Sequence, residues 1–457
     1  MVRPVRLETR PLREAVVPAW SSRNFTLILL ARISMSTGRA LAGVAAPIYL
    51  ALEGFSAFEL AEYVMVVALA SAVLSSTIGL LSDQVGRRPF LIVVPLFTAG
   101  AGLAFALTGA TPVLFVAGAL GSFGRGAGAG AGAVGPYQPA ESAFVTEDIA
   151  AGHRNSAFGR LAFGSSLGAT AGGLLALLVS ATKVHRALAT GVYRPVFIVI
   201  AAVSVTAGLL ALGLVEPAHQ RARARPDSPS TRRRPAIRLP RRSRPLLYRL
   251  WVTNTVNGIA VGMFGPFVTY WFFRRFGAGP AKIGVLFAII NAATMVSTLS
   301  AARLARRWGL VRTITVVRTV QGMLLVPMAL SPSFLSAGAV YLVRMFVQRV
   351  GLPLRQSYAI AQADPAERAS VAALSNLPSQ LAMAGSPLLS GYLLDEVSLS
   401  LPFEIAAVCQ LANAFSFWAF FHRLPPEEER DRQAEAEAAA EVAELLLEQG
   451  ELPGEDP

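Results

Sequence analysis

Arginines placed inside apolar stretches are the first chemistry this sequence offers. Arg39 stands near the middle of an apolar run over 25–51, and Arg32 lies two helical turns earlier on the same face. Arg125 falls near the middle of the run 112–138, and Arg344 at comparable depth in the run 333–360. A guanidinium offers a planar fork of donors that matches a carboxylate or a phosphate. Glu141 sits about as deep as Arg32. It either neutralises that arginine or carries a proton, and the plainer reading of Arg32 is a structural pair. Asn254 and Asn257 add hydrogen-bonding groups at a third place in the chain. No Asp or Glu falls in the middle of the first or seventh apolar run. Glu141 is therefore the preferred proton carrier, with Glu62 as the other candidate.

The elements that must position these groups are membrane helices. The chain of 457 residues is 53% hydrophobic and only 15% charged, where a soluble protein averages about 25%. Crossing the bilayer core takes roughly 20 apolar residues. Runs of that kind lie near 25–51, 58–81, 89–109, 112–138, 156–181, 194–215, 247–272, 281–302, 311–330, 333–360, 370–394 and 401–421. The expected fold is thus all-α, with about twelve transmembrane helices in two pseudo-symmetric halves of six. The organisation follows: a segment 1–24, a half 25–215, a basic linker 216–246, a half 247–421 and an acidic tail 422–457.

Charge sorts along these runs. The net charge is +13, and 41 basic residues less Lys183 and Lys282 leave 39 arginines. Arg3, Arg6, Arg10, Arg13 and Arg23, the pair Arg87–Arg88, the cluster Arg221–Arg249 and Arg303–Arg312 all fall on one side if the helices alternate. The bias predicts cytoplasmic termini in an inner (cell) membrane. Lys183, Arg186, Arg194, Arg274, Arg275 and Lys282 run against it. Arginines placed between apolar runs argue for a lipid bilayer as partner and against nucleic acid. The first apolar run is too long for a signal-peptide core and reads as a retained helix. The basic linker reads as a topology determinant. The tail, an acidic helix over 427–448, is either solvated or docked on that linker.

One cysteine, Cys409, and four scattered histidines give no disulfide and no zinc spacing. Neither lysine is followed by Ser or Thr, so the ATP-binding phosphate loop is missing. GAGAVG at 130–135 fits a dinucleotide fingerprint but lacks the surrounding strand and helix. No metal, no cofactor and no catalytic residue is expected, and the chain is read as a monomer that is not an enzyme.

The halves read as copies. Pro139, Ser142 and Arg154 correspond to Pro353, Gln356 and Arg368 at an offset of 214. Gly43 and Pro47 correspond to Gly262 and Pro266 at 219, and Gly54 and Gly86 to Gly277 and Gly309 at 223. Ordered matches with small shifts indicate duplication, an architecture that places a solute site between the halves.

Between the second and third runs the chain reads GLLSDQVGRRPF. Gly79, Asp83, Gly86, Arg87 and Arg88 resemble the signature of the major facilitator superfamily, and ARLARRWGLVRT at 302–313 resembles a degenerate second copy. The resemblance covers about 25–422 and implies a secondary carrier of a small-molecule solute. It implies that Asp83 sits against the start of the eleventh helix, near 369, where a carboxylate suits the helix dipole. Arg87 would then pair with Glu147 or Asp148, and the set would act as a gate. The family's first, fourth, seventh and tenth helices line its cavity, which brings Arg39, Arg125 and Arg344 toward one pocket. Gly164, Gly168, Gly172 and Gly173 allow close helix packing and partly resemble the fifth-helix motif of exporting members, with Ala169 in place of a proline. The expected function is export of a small organic compound by proton antiport. The alternatives are a carrier of an organic anion or phosphorylated metabolite, and a receptor that kept the fold without transport.

Overall fold

The computed structural model describes residues 22–124, 135–149, 153–178, 186–215, 242–364, 371 and 374–424. These residues fold into α-helices. In chain order they are α1 (Arg23–Leu52), α2 (Ala57–Val85), α3 (Arg88–Leu107), α4 (Thr111–Gly121), α5 (Tyr137–Asp148), α6 (Arg154–Leu175), α7 (Arg186–Leu212), α8 (Arg244–Phe264), α9 (Val268–Phe276), α10 (Pro280–Trp308), α11 (Leu310–Met323), α12 (Leu325–Ala329), α13 (Phe334–Ala361), α14 (Leu377–Glu396) and α15 (Leu401–Phe421). Eight helical stretches among the described residues are long and apolar enough to cross a membrane. The acidic tail, most of the basic linker and residue 369 lie outside the described residues.

Helix starts follow local chemistry. Ser22 caps α1 by accepting the Phe25 N–H at 3.1 Å. Ser56 and Glu59 form a reciprocal capping box on α2. Pro89 and Pro112 stand in the first turns of α3 and α4, where no intrahelical N–H is needed.

Three apolar runs that read as single helices are each divided. The run 112–138 is interrupted after Gly121, because Ser122 (φ 52°) and Gly124 (φ 73°) turn left-handed, and the next described helix starts at Tyr137. The run 247–272 divides at Gly265–Pro266 into α8 and α9, since Pro266 has no N–H to continue the ladder. Pro47, the matching proline of the first half, follows Ala46 and stays inside an unbroken α1. The run 311–330 divides at Leu324 into α11 and α12.

Each half packs around its own helices, α1 on α6 and α7 in the first, and α8 on α14 and α15 in the second. The most extensive contacts between the halves are α6 with α10 and α2 with α14, and α1 also touches α9 and α10. The apolar cores divide unequally along the bundle axis. On the side where α1 ends and α2 begins, here the far side, one continuous cluster contains Tyr49, Phe105 and Phe197 of the first half and Phe264, Trp271 and Tyr341 of the second. On the opposite, linker side the described residues form two separate clusters. One, around Phe25, Ile78, Tyr137 and Phe144, belongs to the first half. The other, around Leu250, Val317, Tyr358 and Phe417, belongs to the second.

Candidate functional site

The linker-side turn between α2 and α3 carries the signature residues. Gly86 caps α2 with φ 101°, a conformation that suits only glycine. Gly79 lies within reach of Pro139 of α5. The side chain of Asp83 lies outside the described residues, as does the start of the helix it was expected to face. Arg87 is buried and meets the Glu147 carboxylate at 2.6 Å while also donating to the Ala143 carbonyl. Arg88 donates to the Leu212 carbonyl at 2.5 Å. Asp148 does not face Arg87. It accepts from Asn24 at 3.0 Å, and Asn24 in turn brackets the end of α7 through Val215. The turn thereby ties α1, α3, α5 and α7 into one body.

Deeper in the first half, Arg32 of α1 forms an ion pair with Glu141 of α5 and donates to Ser165 of α6. Both charges are buried, and Tyr137 lies beside them. Glu141 is the only buried carboxylate among the described residues, and its second oxygen has no hydrogen-bond partner. The pairing costs desolvation of both ions, so removing one partner would strand the other. Arg39 is half-buried, and its guanidinium lies against Gly135, where an added Cβ would come within 3.1 Å. Gly135 has φ 57°, which lets the chain present a bare backbone to that arginine. Arg125 lies outside the described residues.

The second half holds a different arrangement. Arg344 of α13 is 1% exposed. Its guanidinium lies 4.0 Å over the Phe264 ring and donates to Gln348 at 3.1 Å, and its Nε has no partner. Asn254 donates to the Ser375 carbonyl at 2.7 Å, a tie between α8 and the chain before α14. Asn257 accepts from Asn413 of α15 at 3.3 Å. Asn413 in turn accepts from Arg318 of α11 at 2.5 Å. Arg318 is 5% exposed, leans 4.9 Å over Phe417, and has an unpartnered Nη2.

Sequence reasoning passed over Arg318, although an arginine well inside the apolar run 311–330 is the expected signal. It also passed over Asp395. That carboxylate, at the far end of α14, accepts the Ala57 and Phe58 N–H groups at 2.9 and 2.8 Å. It therefore caps α2 from the other half of the molecule. No local pattern announces a partner 338 positions away.

The glycines divide by direction. Gly168 and Gly172 press α6 against the α1 backbone and Gly164 meets the Leu29 and Ile33 side chains of α1, while Gly173 faces Gly284 of α10 across the half-to-half boundary. Gly124, with φ 73°, sits in the turn after α4. Among the described residues no His, Cys, Asp and Glu group could hold a metal ion.

The profile of the Major Facilitator Superfamily matches residues 28–351. No significant match to a curated protein was found. Solved structures share the fold at low identity. A nucleoside transporter, NupG, is 13% identical and aligns over 88% of this chain and 99% of its own, with a TM-score of 0.67. The xylose transporter XylE from E. coli, in an inward-open conformation, is 13% identical over 87% and 96%, with a TM-score of 0.64. A bacterial homolog of the human lysosomal transporter Spinster, inward-facing and unoccupied, is 15% identical over 88% and 95%, with a TM-score of 0.62.

Proposed function

The chain belongs to the Major Facilitator Superfamily, and from that premise we propose that it is a secondary active carrier that exports a small organic compound in exchange for protons. One observation carries the alternating-access part of this reading. The far-side core is shared by both halves, whereas the described linker-side residues form two separate cores. A solute site between two such bodies opens to the linker side and would reach the far side when the shared core parts. The arginine bias makes the linker side cytoplasmic in a cell membrane, with both termini there.

Glu141 is the proton carrier in this reading. Its neutralisation would release Arg32, and Ser165 would keep part of that guanidinium satisfied. The Arg87–Glu147 pair holds the linker-side turn of the first half, so that the half moves as a unit. The glycine pattern of α6, similar to that of exporting members, supports the outward direction. The buried, carboxylate-free Arg344 favours an organic anion over a cation as the cargo.

The test uses proteoliposomes with an imposed pH gradient and three probes: ethidium, citrate and glucose 6-phosphate. The wild type accumulates one of them against its gradient. Glu141→Gln abolishes that pH-driven accumulation yet retains exchange of labelled for unlabelled probe. Equal pH-driven accumulation in Glu141→Gln would remove Glu141 from coupling.

A further inference from the structure

The charge balance of the two halves differs. In the first half the buried arginine Arg32 has a buried carboxylate to match it. From 244 to 421 the chain contains five carboxylates: Asp364, Glu367, Asp395, Glu396 and Glu404. Glu367 lies outside the described residues, and the other four stand at helix ends or between helices. Asp364 meets the exposed Arg242 at 3.5 Å, and Asp395 caps α2. The interior of this half nevertheless contains Arg318 on α11 and Arg344, Arg349 and Arg355 on α13. None of these four has an acidic partner among the described residues.

The protein satisfies these cations only in part. Arg344 has a ring and one amide, and Arg318 has one amide and a ring. Arg355 donates to Asn376 at 3.4 Å and lies close enough to Arg318 for the two charges to repel. Donor nitrogens of Arg318, Arg344 and Arg349 are buried with no acceptor. A cation–π contact offsets about 2 kcal/mol when desolvated, whereas burying an unpaired ion costs several. The buried Arg318 and Arg344, with the part-buried Arg349 and Arg355, make a cationic interior with no carboxylate partner among the described residues. The arginines are also in line. Asn257, joined to Arg318 through Asn413, and Phe264, under Arg344, lie seven residues apart on α8. They therefore share one face, about 10 Å apart along the axis. Arg355 and Arg318 belong to the linker-side level of this half, and Arg344 lies beside Met345 and Phe264 at the floor of the shared far-side core.

Resting on the carrier reading above, we infer that the second half binds the solute as an organic anion, a carboxylate or phosphate ester. Arg318, with Asn413 and Asn257, is its linker-side contact and Arg344 its deepest one. Arg318 is a binding residue of this path.

Purified full-length protein in detergent is titrated with citrate, glucose 6-phosphate, inorganic phosphate, ethidium and sodium chloride at matched ionic strength, with Tm as the readout. Citrate or glucose 6-phosphate raises the Tm of the wild type, and the stronger of the two identifies the acidic group. Arg318→Gln and Arg344→Gln each raise the midpoint of that titration about 30-fold, the loss of one charge-assisted pair. Arg318→Lys, which keeps the charge, recovers part of the affinity and controls for misfolding. The inference is overturned by an unchanged midpoint in both glutamine variants, by sodium chloride or inorganic phosphate matching the organic anions, or by a shift with ethidium alone. Absence of any anion effect also overturns it. The carrier reading fails separately: if organic anions bind as described but proteoliposomes exchange none of the probes, the site stands and transport does not.

Discussion

Removing the Asp395 carboxylate should open the far side. The side chain accepts two backbone N–H groups, from Ala57 and Phe58, at 2.9 and 2.8 Å. These are first-turn donors of α2 that have no intrahelical acceptor. A buried charge-assisted bond is worth about 1.5–3 kcal/mol, but Asp395 is exposed, so N-cap values of about 1 kcal/mol apply better. Interaction with the helix dipole adds about 0.3–1 kcal/mol. Ser56 and Glu59 cap the same helix from within α2 and survive the substitution. The latch therefore contributes about 1–2 kcal/mol to the closed far side. At 1.4 kcal/mol per tenfold, its loss moves the open-to-closed ratio roughly 5- to 30-fold. The assay is a spin-label distance between Val113→Cys on α4 and Leu335→Cys on α13. Both positions are exposed at the far side, and Cys409, the only native cysteine, is replaced by Ala. Asp395→Ala should raise a minor long-distance component of about 3% to roughly 15–50%. Asp395→Asn, which keeps the shape but not the charge, should fall between. An unchanged distribution in both variants would refute the idea that this capping contact holds the halves together.

Three other perturbations follow from the geometry. Arg32→Gln strands Glu141 in the interior and should lower stability by about 3–5 kcal/mol; the double change Arg32→Met with Glu141→Leu should recover most of it, read by Tm in detergent. Gly284→Ala pushes a methyl into the Gly173 backbone; it should cost about 1–3 kcal/mol and weaken the α6–α10 contact, seen as faster proteolysis between the halves. Gly135→Ala combines a strained φ of 57° with a clash against the Arg39 guanidinium. It should lower Tm by a few degrees, consistent with about 1 kcal/mol, and reduce transport as strongly as Arg39→Gln; unaltered transport would separate Arg39 from the solute path.

The membrane helices, their division into halves and the signature turn were legible because each rests on local pattern: apolar length, arginine placement, and glycines around an acidic and two basic residues. The meeting of Arg32 and Glu141 could be anticipated from depth alone. The breaks at Ser122 and Leu324 could not, since neither residue is a strong breaker and a run of small and apolar side chains looks helical throughout. Arg318 stood in plain view inside an apolar run. A reading weighted toward the first, fourth, seventh and tenth helices misses a residue on the ninth. The α2 latch was hidden for a different reason. A solvent-exposed aspartate at a helix end is ordinary, and only the fold brings it to the start of another helix.

The glycine crossing between α6 and α10 bears on how the halves can move. Most helix contacts interlock, so that sliding one past the other requires side chains to leave their slots and change rotamer. At Gly173 and Gly284 main chain meets main chain, and an added Cβ at Gly173 would come within 2.7 Å of the Gly284 carbonyl. The second crossing is similar: a Cβ at Gly391 of α14 would lie 2.7 Å from the Ala57 carbonyl of α2. Such smooth surfaces act as a pair of bearings. They let one half tilt on the other with little friction, and they leave the preferred angle to be set by the charges, caps and aromatic contacts at the two ends.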